Sequence, residues 1–254
     1  MNQSEVDRPD PRASDGVATA VVIGRAGSKG LPGKNALLVG GTPMIGRSVA
    51  HARQARTIGR VLCSTDGAEI AAAAEAAGAE IVRRPESLAD DHATVDSAVR
   101  HAVETAGDTA DIVVVLYGNI PIRPDGLLDR AVDRLVATGA DSVQSYSPVG
   151  KHHPWWTCRL SEDGQVSPWE PNNAYRRQDL PPAHIPDGGV IAVTRGSLFT
   201  VEDGRPHAFL GEDRRGVINP EASVVDVDDE IDLLVAEAMI ARRANASDRT
   251  GERE

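Results

Sequence analysis

Several features are scarce in this chain of 254 residues, and each scarcity excludes a class of protein. The two cysteines, Cys63 and Cys158, are too few for a disulfide framework, and their spacing matches no metal-binding motif. The sequence also shows no long apolar run and no secretory leader. We therefore expect a soluble cytoplasmic protein that does not act at a membrane.

Positive charge is also in short supply. The chain has 27 Lys and Arg against 38 Asp and Glu, which gives a formal net charge of −11. A phosphate backbone would repel such a protein unless a basic face were segregated from the rest. Nucleic acid is therefore not expected as a partner, and any local concentration of cations becomes informative.

Hydrophobic residues make up 41% of the sequence, which is enough for a core. They fall into alternating strand and helix patterns with short connections. Strands are predicted at 17–23, 60–65, 80–84, 111–117, 141–149, 190–194 and 223–227, with helices at about 42–56, 68–77, 90–106, 127–138 and 230–243. This alternation predicts an α/β fold with a doubly wound, mostly parallel, Rossmann-like sheet.

The alternation breaks between about residues 147 and 187. This segment contains a hairpin pattern, a proline-rich stretch and all three tryptophans of the chain. Tryptophans outside the main sheet are typical of an arm that packs on a second copy of the chain, but also of a cluster folded onto its own sheet. We expect a domain at 17–243 with an inserted dimerisation arm and a homodimer. Disordered tails are predicted at 1–16 and 244–254.

A glycine-rich segment, VIGRAGSKGLPGKN at 22–35, follows the first predicted strand directly. Its cations are Arg25, Lys29 and Lys34, and its glycines are Gly24, Gly27, Gly30 and Gly33. Ligands of open parallel sheets bind outside the carboxyl ends of the strands. Glycine lets backbone N–H groups approach an anion closely. The segment therefore predicts a polyphosphate site, although it matches neither Walker A nor G-x-G-x-x-G.

The stretch from Gly24 to Asn35 resembles the signature of the cytidylyltransferases that activate acidic sugars, the acylneuraminate cytidylyltransferase or CMP-sialic acid synthetase family. Members typically read Ala-Arg-x-x-Ser-Lys-Gly-x-x-x-Lys-Asn, and the one departure is glycine at the first position. The resemblance implies a CTP site. The implied nucleotide contacts are Gly24, Arg25, Gly27, Ser28, Lys29 and Asn35, and the implied catalytic cations are Arg25, Lys29 and Lys34.

Further matches to this family follow in the same order and cover nearly all of residues 17–243. Residues 64–91 are similar to the family's second region, which implies that Arg84 contacts the cytosine. Residues 176–181 resemble its arginine-glutamine segment on the dimer arm, where Arg177 would clamp a sugar carboxylate by bidentate pairing. The implied sugar contacts are Tyr117, Arg123, Arg177, Gln178, Asp187 and Gly188.

The chain departs from the family where the fourth strand ends. Residues 117–123 read YGNIPIR instead of Gln-Pro-Thr-Ser-Pro-Leu-Arg, with Tyr117 for glutamine and Asn119 for threonine. Asp187 replaces an asparagine, and Trp156 aligns with a common lysine. The nucleotide part is thus kept and the sugar part rewritten. The sugar stays open, and another nucleotidyltransferase or a catalytically silent nucleotide-binding regulator remains an alternative.

The segment VVDVDDEIDLLVAE resembles the family's closing metal motif. Asp226 and Asp228 lie at i and i+2 at the end of a predicted strand, so both carboxylates point to one face. Mg²⁺ takes one or two carboxylates together with substrate phosphates. We therefore expect Mg²⁺ or Mn²⁺ at this pair, with Asp229 as a helix N-cap and Asp232 in the first turn.

Together these patterns predict cytidylyl transfer: CTP and an acidic sugar would give a CMP-sugar and pyrophosphate. The predicted chemistry is a metal-dependent, in-line attack by a sugar hydroxyl on the α-phosphorus.

Overall fold

The computed structural model describes residues 15–27, 30–90, 92–202 and 205–251, with side chains up to residue 245. The strands are β1 (Ala18–Ile23), β2 (Leu38–Val39), β3 (Thr42–Pro43), β4 (Ile58–Thr65), β5 (Glu80–Arg83), β6 (Ile112–Tyr117), β7 (Ser142–Pro148), β8 (Cys158–Leu160), β9 (Val166–Pro168), β10 (His184–Thr194) and β11 (Arg214–Ile218). The α-helices are α1 (Met44–Gln54), α2 (Ala68–Ala76), α3 (Val95–Thr105), α4 (Leu127–Thr138), α5 (Arg195–Leu198) and α6 (Glu230–Gly251). Short 3-10 turns lie at Lys34–Ala36, Glu86–Leu88, Gly150–His152, Pro154–Trp156, Arg177–Asp179 and Ala208–Leu210. No helix in the described ranges is long and apolar enough to cross a lipid bilayer.

Seven strands form the main sheet, in the order β11-β7-β10-β6-β1-β4-β5. Strands β6, β1, β4 and β5 are parallel, and β7 and β11 also pair in parallel. Strand β10 runs antiparallel between β6 and β7. The central strand β1 pairs through Val21 with Leu62 of β4 and with Val115 of β6. The predicted α/β fold with a mostly parallel sheet is confirmed.

Helices cover both faces of this sheet. On β1, Ala20 and Val22 pack in a cluster with α1, α2 and α4, whereas Val21 packs in a cluster with α3 and α5. All three side chains are fully buried. Successive side chains of a strand point to opposite faces, so an uninterrupted apolar strand such as β1 requires cover on both sides. This is the doubly wound arrangement that the sequence predicts.

The chain after β10 differs from the prediction. Residues 223–227 form no regular strand, because Val225 contributes only an isolated antiparallel bridge to Ile122. The edge strand of the sheet is β11 instead, which the sequence does not predict because Arg214 and Arg215 break its apolar pattern. Both arginines are exposed, as an edge position permits.

Two further boundaries differ from those predicted. Helix α3 begins after Thr94, whose hydroxyl accepts a hydrogen bond from the Ser97 N–H, while the Asp90 carboxylate instead closes a turn on the N–H groups of His92 and Ala93. Helix α6 continues to Gly251, where the sequence predicts a disordered tail from residue 244. Most of the other predicted tail, 1–16, lies outside the described residues.

The predicted arm contains its own two-stranded sheet, the hairpin β8–β9. The Arg159 guanidinium stacks over the Trp169 ring at 4.4 Å from its centroid. Trp169 is nevertheless 54% exposed, and Tyr175 is 92% exposed. The hairpin prediction is confirmed, and packing of the arm on a second copy stays a prediction.

Candidate active site at the carboxyl ends of the central strands

A cavity of about 490 Å³ opens where β1, β5 and β6 end. Its polar wall consists of Gly24, Arg25, Gly30, Lys34, Asn35, Arg84, Asp90, Thr94, Tyr117, Asn119 and Asp228, and its apolar wall of Ile23, Leu88, Ala93, Val95 and Ala98. The structure thus brings the glycine-rich segment, the predicted cytosine contact and one predicted metal ligand into a single cavity. The predicted residues Ser28 and Lys29 lie outside the described residues, and the predicted contact Gly27 is exposed on the loop.

The loop after β1 is held by side chains from other elements. The Asn35 amide nitrogen donates to the Arg25 carbonyl at 3.0 Å, and the Ala26 N–H donates to Asp66 at 2.9 Å. A Cβ on Gly24 would lie 3.1 Å from both the Asn35 Cγ and the Ile45 Cδ1 atoms. Glycine is therefore the residue that lets Asn35 pack against this turn.

Asn35 also has an unused acceptor. The residue is 3% exposed, and within the described part of the chain its buried Oδ1 atom has no hydrogen-bond partner. Buried polar atoms are generally paired. Asn35 lines the cavity, but its Oδ1 atom is buried beside Gly118, where a Cβ would come within 2.9 Å of it.

Two arginines also line the cavity. The Arg25 guanidinium donates to the Asp90 carbonyl at 3.1 Å and so reaches from the loop to the segment before α3. The Arg84 guanidinium donates to the Ser64 carbonyl at 2.7 Å and to the Ser64 hydroxyl at 3.1 Å. Burial lowers the pKa of Arg84 from its usual value. Arg84 is thus a fixed donor at the cavity wall.

Asp226 and Asp228 face the same amide group. The Asn119 Nδ2 atom donates to Asp226 Oδ1 at 2.5 Å and to Asp228 Oδ1 at 3.3 Å, while the Lys34 ammonium contacts the same Asp228 oxygen at 2.5 Å. Partial desolvation raises the pKa of Asp226 to about 6, and the charge of Asp228 acts in the same direction. The two carboxylates therefore share one side of the segment, as the spacing predicts.

The hydrophobic residues between the acids explain this arrangement. Val225 and Val227 are buried in a cluster with Met44 of α1 and with Ala236 of α6. The carboxylates that alternate with these valines therefore point away from the cluster. The donor set fits a divalent cation, because Mg²⁺ prefers one or two carboxylate oxygens and takes its other ligands from water and phosphate. No group of three or more His, Cys, Asp or Glu side chains suited to a metal occurs within the described ranges, so the pair would depend on those outside ligands.

The first turn of α6 is closed by the acids next to the pair. The Asp232 N–H donates to the Asp229 carboxylate at 2.9 Å, and the Asp229 N–H donates back to the Asp232 carboxylate at 3.2 Å. This reciprocal pattern is a capping box. The N-cap prediction for Asp229 is confirmed.

Tyr117 lines the cavity at the end of β6, and burial raises the pKa of its hydroxyl. Gly188 lies behind it at φ +70°, where a Cβ would come within 2.9 Å of Ile120 Cδ1 and 3.6 Å of the Tyr117 ring. Gly188 therefore gives space to the Tyr117 ring and does not line the cavity itself.

Arg123 lies in the interior, which corrects its predicted contact with a sugar. Its side chain is 0% exposed and donates to the carbonyls of Gly189 at 2.7 Å, Ile120 at 2.5 Å and Tyr117 at 3.0 Å. Burial lowers the pKa of the guanidinium to about 9, so it stays charged at neutral pH. Arg123 shapes the loop that carries Tyr117 and Asn119.

Asp187 also has its hydrogen bonds satisfied within the protein. It accepts from the hydroxyls of Ser145 at 2.5 Å and Ser147 at 2.8 Å, and from the Asn219 amide at 2.8 Å. It does not belong to the lining of the cavity. In this arrangement Asp187 organises the start of the buried part of β10.

The remaining predicted sugar contacts lie on the arm side. Arg177 lines a second cavity of about 520 Å³ with Lys151 and His152, and its guanidinium pairs with Glu221 at 3.5 Å. Gln178 is exposed in the adjoining 3-10 turn. Within one copy of the chain, Arg177 and the first cavity are therefore separate.

Asn119 lines this site, and the sequence alone assigns it no role. Its position directly after a buried parallel strand is a signal of a site residue, since ligands bind at that edge. The sequence places Asn119 only among the departures from the family pattern.

A mostly parallel sheet with cations and carboxylates gathered at the carboxyl ends of its strands is an arrangement typical of nucleotide-binding α/β proteins. A family model described as cytidylyltransferase matches residues 19–164, and the chain belongs to that family.

Individual relatives agree with this assignment. An N-acylneuraminate cytidylyltransferase of Streptococcus agalactiae is 28% identical over 173 residues, which cover 67% of this chain and 42% of that protein. A CMP-N,N'-diacetyllegionaminic acid synthase of Legionella pneumophila is 28% identical over 231 residues, covering 87% and 95%. The chain spans about half the length of several of the curated relatives it matches.

A solved structure shares the fold. A CMP:2-keto-3-deoxy-manno-octonic acid synthetase complexed with CTP superposes with a TM-score of 0.67 at 19% identity, covering 89% of this chain and 99% of that one. At 19% identity this likeness supports the fold alone, including the topology of the sheet.

Proposed function

We propose that the protein transfers the cytidylyl group of CTP to an acidic sugar and releases pyrophosphate. The observation that carries the proposal is the meeting of Lys34, from the loop after β1, with Asp228, from the segment before α6, inside the cavity at the strand ends. The names of the Streptococcus and Legionella relatives support a sugar acid as the acceptor.

The wall of the cavity suggests how CTP binds. Arg84 would contact the cytosine, and Asn35 would line the nucleotide site beside it. Arg25, Lys29 and Lys34 would neutralise the triphosphate, helped by backbone N–H groups of the glycine-rich loop. Fixed donors of this kind stabilise charge without reorganising during the reaction.

Asp226 and Asp228 would hold a Mg²⁺ or Mn²⁺ ion. When bound, such an ion supplies charge neutralisation at the phosphates and lowers the pKa of an attacking hydroxyl. A sugar hydroxyl oxygen would form the new bond to the α-phosphorus while the bond to pyrophosphate breaks. Arg25 and Lys34 would stabilise the departing pyrophosphate, and no side chain is assigned as the general base.

The acidic sugar would be recognised through the arm. Arg177 is an exposed guanidinium with Lys151 and His152 around it, a set that suits a carboxylate. In a homodimer built largely from residues 147–187, the arm of one copy would bring Arg177 to the cavity of the other. Exposed aromatic residues such as Trp169 and Tyr175 support this interface. Sedimentation of a fully active monomer at micromolar concentration would contradict it.

The activity is tested by pyrophosphate release. The protein is incubated with each of the four nucleoside triphosphates and a panel of 2-keto sugar acids, neutral sugars and sugar phosphates, with Mg²⁺ present. We expect release with CTP and one class of sugar acid. Release with another nucleotide or with a sugar phosphate would redirect the assignment, and CTP binding without turnover on any acceptor would favour a silent regulator.

A further inference from the structure

The Asn119 side chain occupies the space between the two carboxylates of the proposed metal pair. A single nitrogen, Nδ2, donates to Asp226 Oδ1 at 2.5 Å and shares its remaining hydrogen between Asp228 Oδ1 and the Val227 carbonyl, each at 3.3 Å. Two carboxylates that share one donor atom repel each other. An amide donor between them offsets that repulsion and fixes their separation.

The backbone holds this amide in place. The Val227 N–H donates to the Asn119 carbonyl at 3.0 Å, and the Val225 N–H donates to the Ile122 carbonyl at 3.3 Å. The loop after β6 and the acidic segment are thus joined on both sides of the contact. Arg123 also holds this loop in place, because its guanidinium donates to the Ile120 and Tyr117 carbonyls.

We propose that Asn119 is a positioning residue that holds Asp226 and Asp228 at the separation a divalent cation requires. The inference rests on the proposed function, because it assumes that this pair holds the metal. Partners that orient metal ligands without binding the metal typically contribute 10–100-fold to metal affinity. Asn119 is expected to act in that range.

Lys34 provides a matched control. Its ammonium contacts the same Asp228 oxygen as Asn119, so both residues place a donor on that atom. Their effects on a metal should be opposite. A fixed neutral amide organises the pair, whereas an ammonium is a competing cation for the carboxylate. Removing Lys34 should therefore strengthen metal binding by the protein alone, and removing Asn119 should weaken it.

The test measures binding of Mn²⁺ to the full chain without nucleotide, by electron paramagnetic resonance. Asn119→Ala and Asn119→Leu, the second of which fills the space, are both expected to weaken binding by 10–100-fold. Lys34→Met is expected to tighten it. Melting curves in EDTA and in Mn²⁺ accompany each titration. If the bond from Asn119 Nδ2 to the Val227 carbonyl has a purely structural role, the variants should lose the same stability in both media and keep their Mn²⁺ affinity.

The Mn²⁺ titrations distinguish a failure of the metal assignment from a failure of the role of Asn119. If the wild type shows no Mn²⁺ binding that Asp228→Asn removes, the metal assignment itself fails and the inference fails with it. If Asp228→Asn removes binding while both Asn119 variants stay within about twofold of the wild type, the metal assignment stands and the role of Asn119 is overturned.

Discussion

The residues assigned to the nucleotide and those assigned to the sugar have different surroundings. Arg25, Lys34, Asn35 and Arg84 line one cavity within a single chain. Of the sugar residues only Tyr117 lies there, while Arg123 and Asp187 are engaged inside the protein and Arg177 lines a separate cavity. Within the described part of one chain, residues assigned to the nucleotide gather in one cavity, whereas those assigned to the acceptor are dispersed.

This difference has a structural cause. The nucleotide residues in the described part of the chain follow β1 and β5, and the parallel order of these strands places their ends at one edge of the sheet. The acceptor residues are dispersed, with Arg177 and Gln178 in the arm between β7 and β10 and Asp187 and Gly188 within β10. Tyr117 ends β6, and Arg123 follows that strand. The arm exposes Leu160, Trp169 and Tyr175 and lacks a core of its own. A second copy of the chain would supply what the first lacks.

Asp228→Asn should have the largest effect on activity. Loss of the metal's second carboxylate should lower turnover by at least about a thousandfold, while the loop cations keep CTP affinity within about threefold. Rates and CTP affinity are measured in parallel, and EDTA should abolish wild-type activity until Mg²⁺ or Mn²⁺ is restored. Asp229→Asn is the control, because asparagine caps a helix about as well as aspartate. Normal turnover by Asp228→Asn would remove the basis of the metal assignment.

Lys29→Ala tests the part of the nucleotide loop outside the described residues. By analogy with the loss of one preorganised donor, the variant should lose roughly 2.7–4 kcal/mol of transition-state stabilisation. Steady-state kinetics measure this loss. Arg134→Ala, at an exposed position of α4, should leave the kinetics unchanged. Turnover of Lys29→Ala within about threefold of the wild type would refute the role.

The two regions differ in how much of them the sequence predicts. The nucleotide loop is one ungapped stretch of twelve residues after a buried strand, so its place in the fold follows from its place in the chain. Asn119 and Asp226 are more than a hundred residues apart, and their contact depends on how α6 packs, which no local pattern reveals.

The sequence also misleads in two places. The family resemblance implies a sugar contact for Arg123, yet its guanidinium is buried on carbonyls of its own loop and of Gly189 in β10. Residues 223–227 look like a strand because three of the five are valine, yet the segment pairs at one bridge only. Strand β11 carries two exposed arginines and is recognisable only by its position at the edge of the sheet.

Arg123→Met tests whether Arg123 belongs to the interior. Removing the guanidinium leaves the Gly189 carbonyl without this donor and weakens the bonding of two others, so the free energy of unfolding should fall by about 3 kcal/mol. Arg177→Met should change it by less than about 0.5 kcal/mol, because its ion pair with Glu221 is exposed. Urea unfolding measures both values. Equal stability of the two variants would contradict the comparison.

The buried imidazole of His51 predicts that the free energy of unfolding depends on pH. Burial lowers the pKa of its imidazole to about 4, and the charges of Arg123 and Arg243 act in the same direction, opposed by the Pro121 carbonyl and Asp125. The unfolded chain binds the proton first as pH falls below about 6.5, so stability should decrease by about 2 kcal/mol between pH 7 and 5. His51→Gln, which is neutral, should lack this share of the pH dependence. Identical slopes for the two proteins would contradict a buried, neutral His51.

Arg177→Ala is the mildest change, and it asks whether the acceptor half is completed by a second chain. Loss of one carboxylate contact should raise the KM for the sugar acid about tenfold and leave the KM for CTP unchanged. Arg176→Ala is the control, because Arg176 pairs locally with Asp179. An unchanged KM for the sugar acid would remove Arg177 from the site.

Mixing variants then distinguishes one chain from two. Asp228→Asn and Arg177→Ala are combined under conditions that exchange subunits, with the sugar acid well below its KM. If Arg177 acts across a dimer, each mixed dimer has one intact site, and activity should rise to about a quarter of the wild type because half of the dimers are mixed. If Arg177 acts within its own chain, no intact site forms, and activity stays at half that of Arg177→Ala alone. The second result would assign both halves of the site to one chain and overturn the contrast between them.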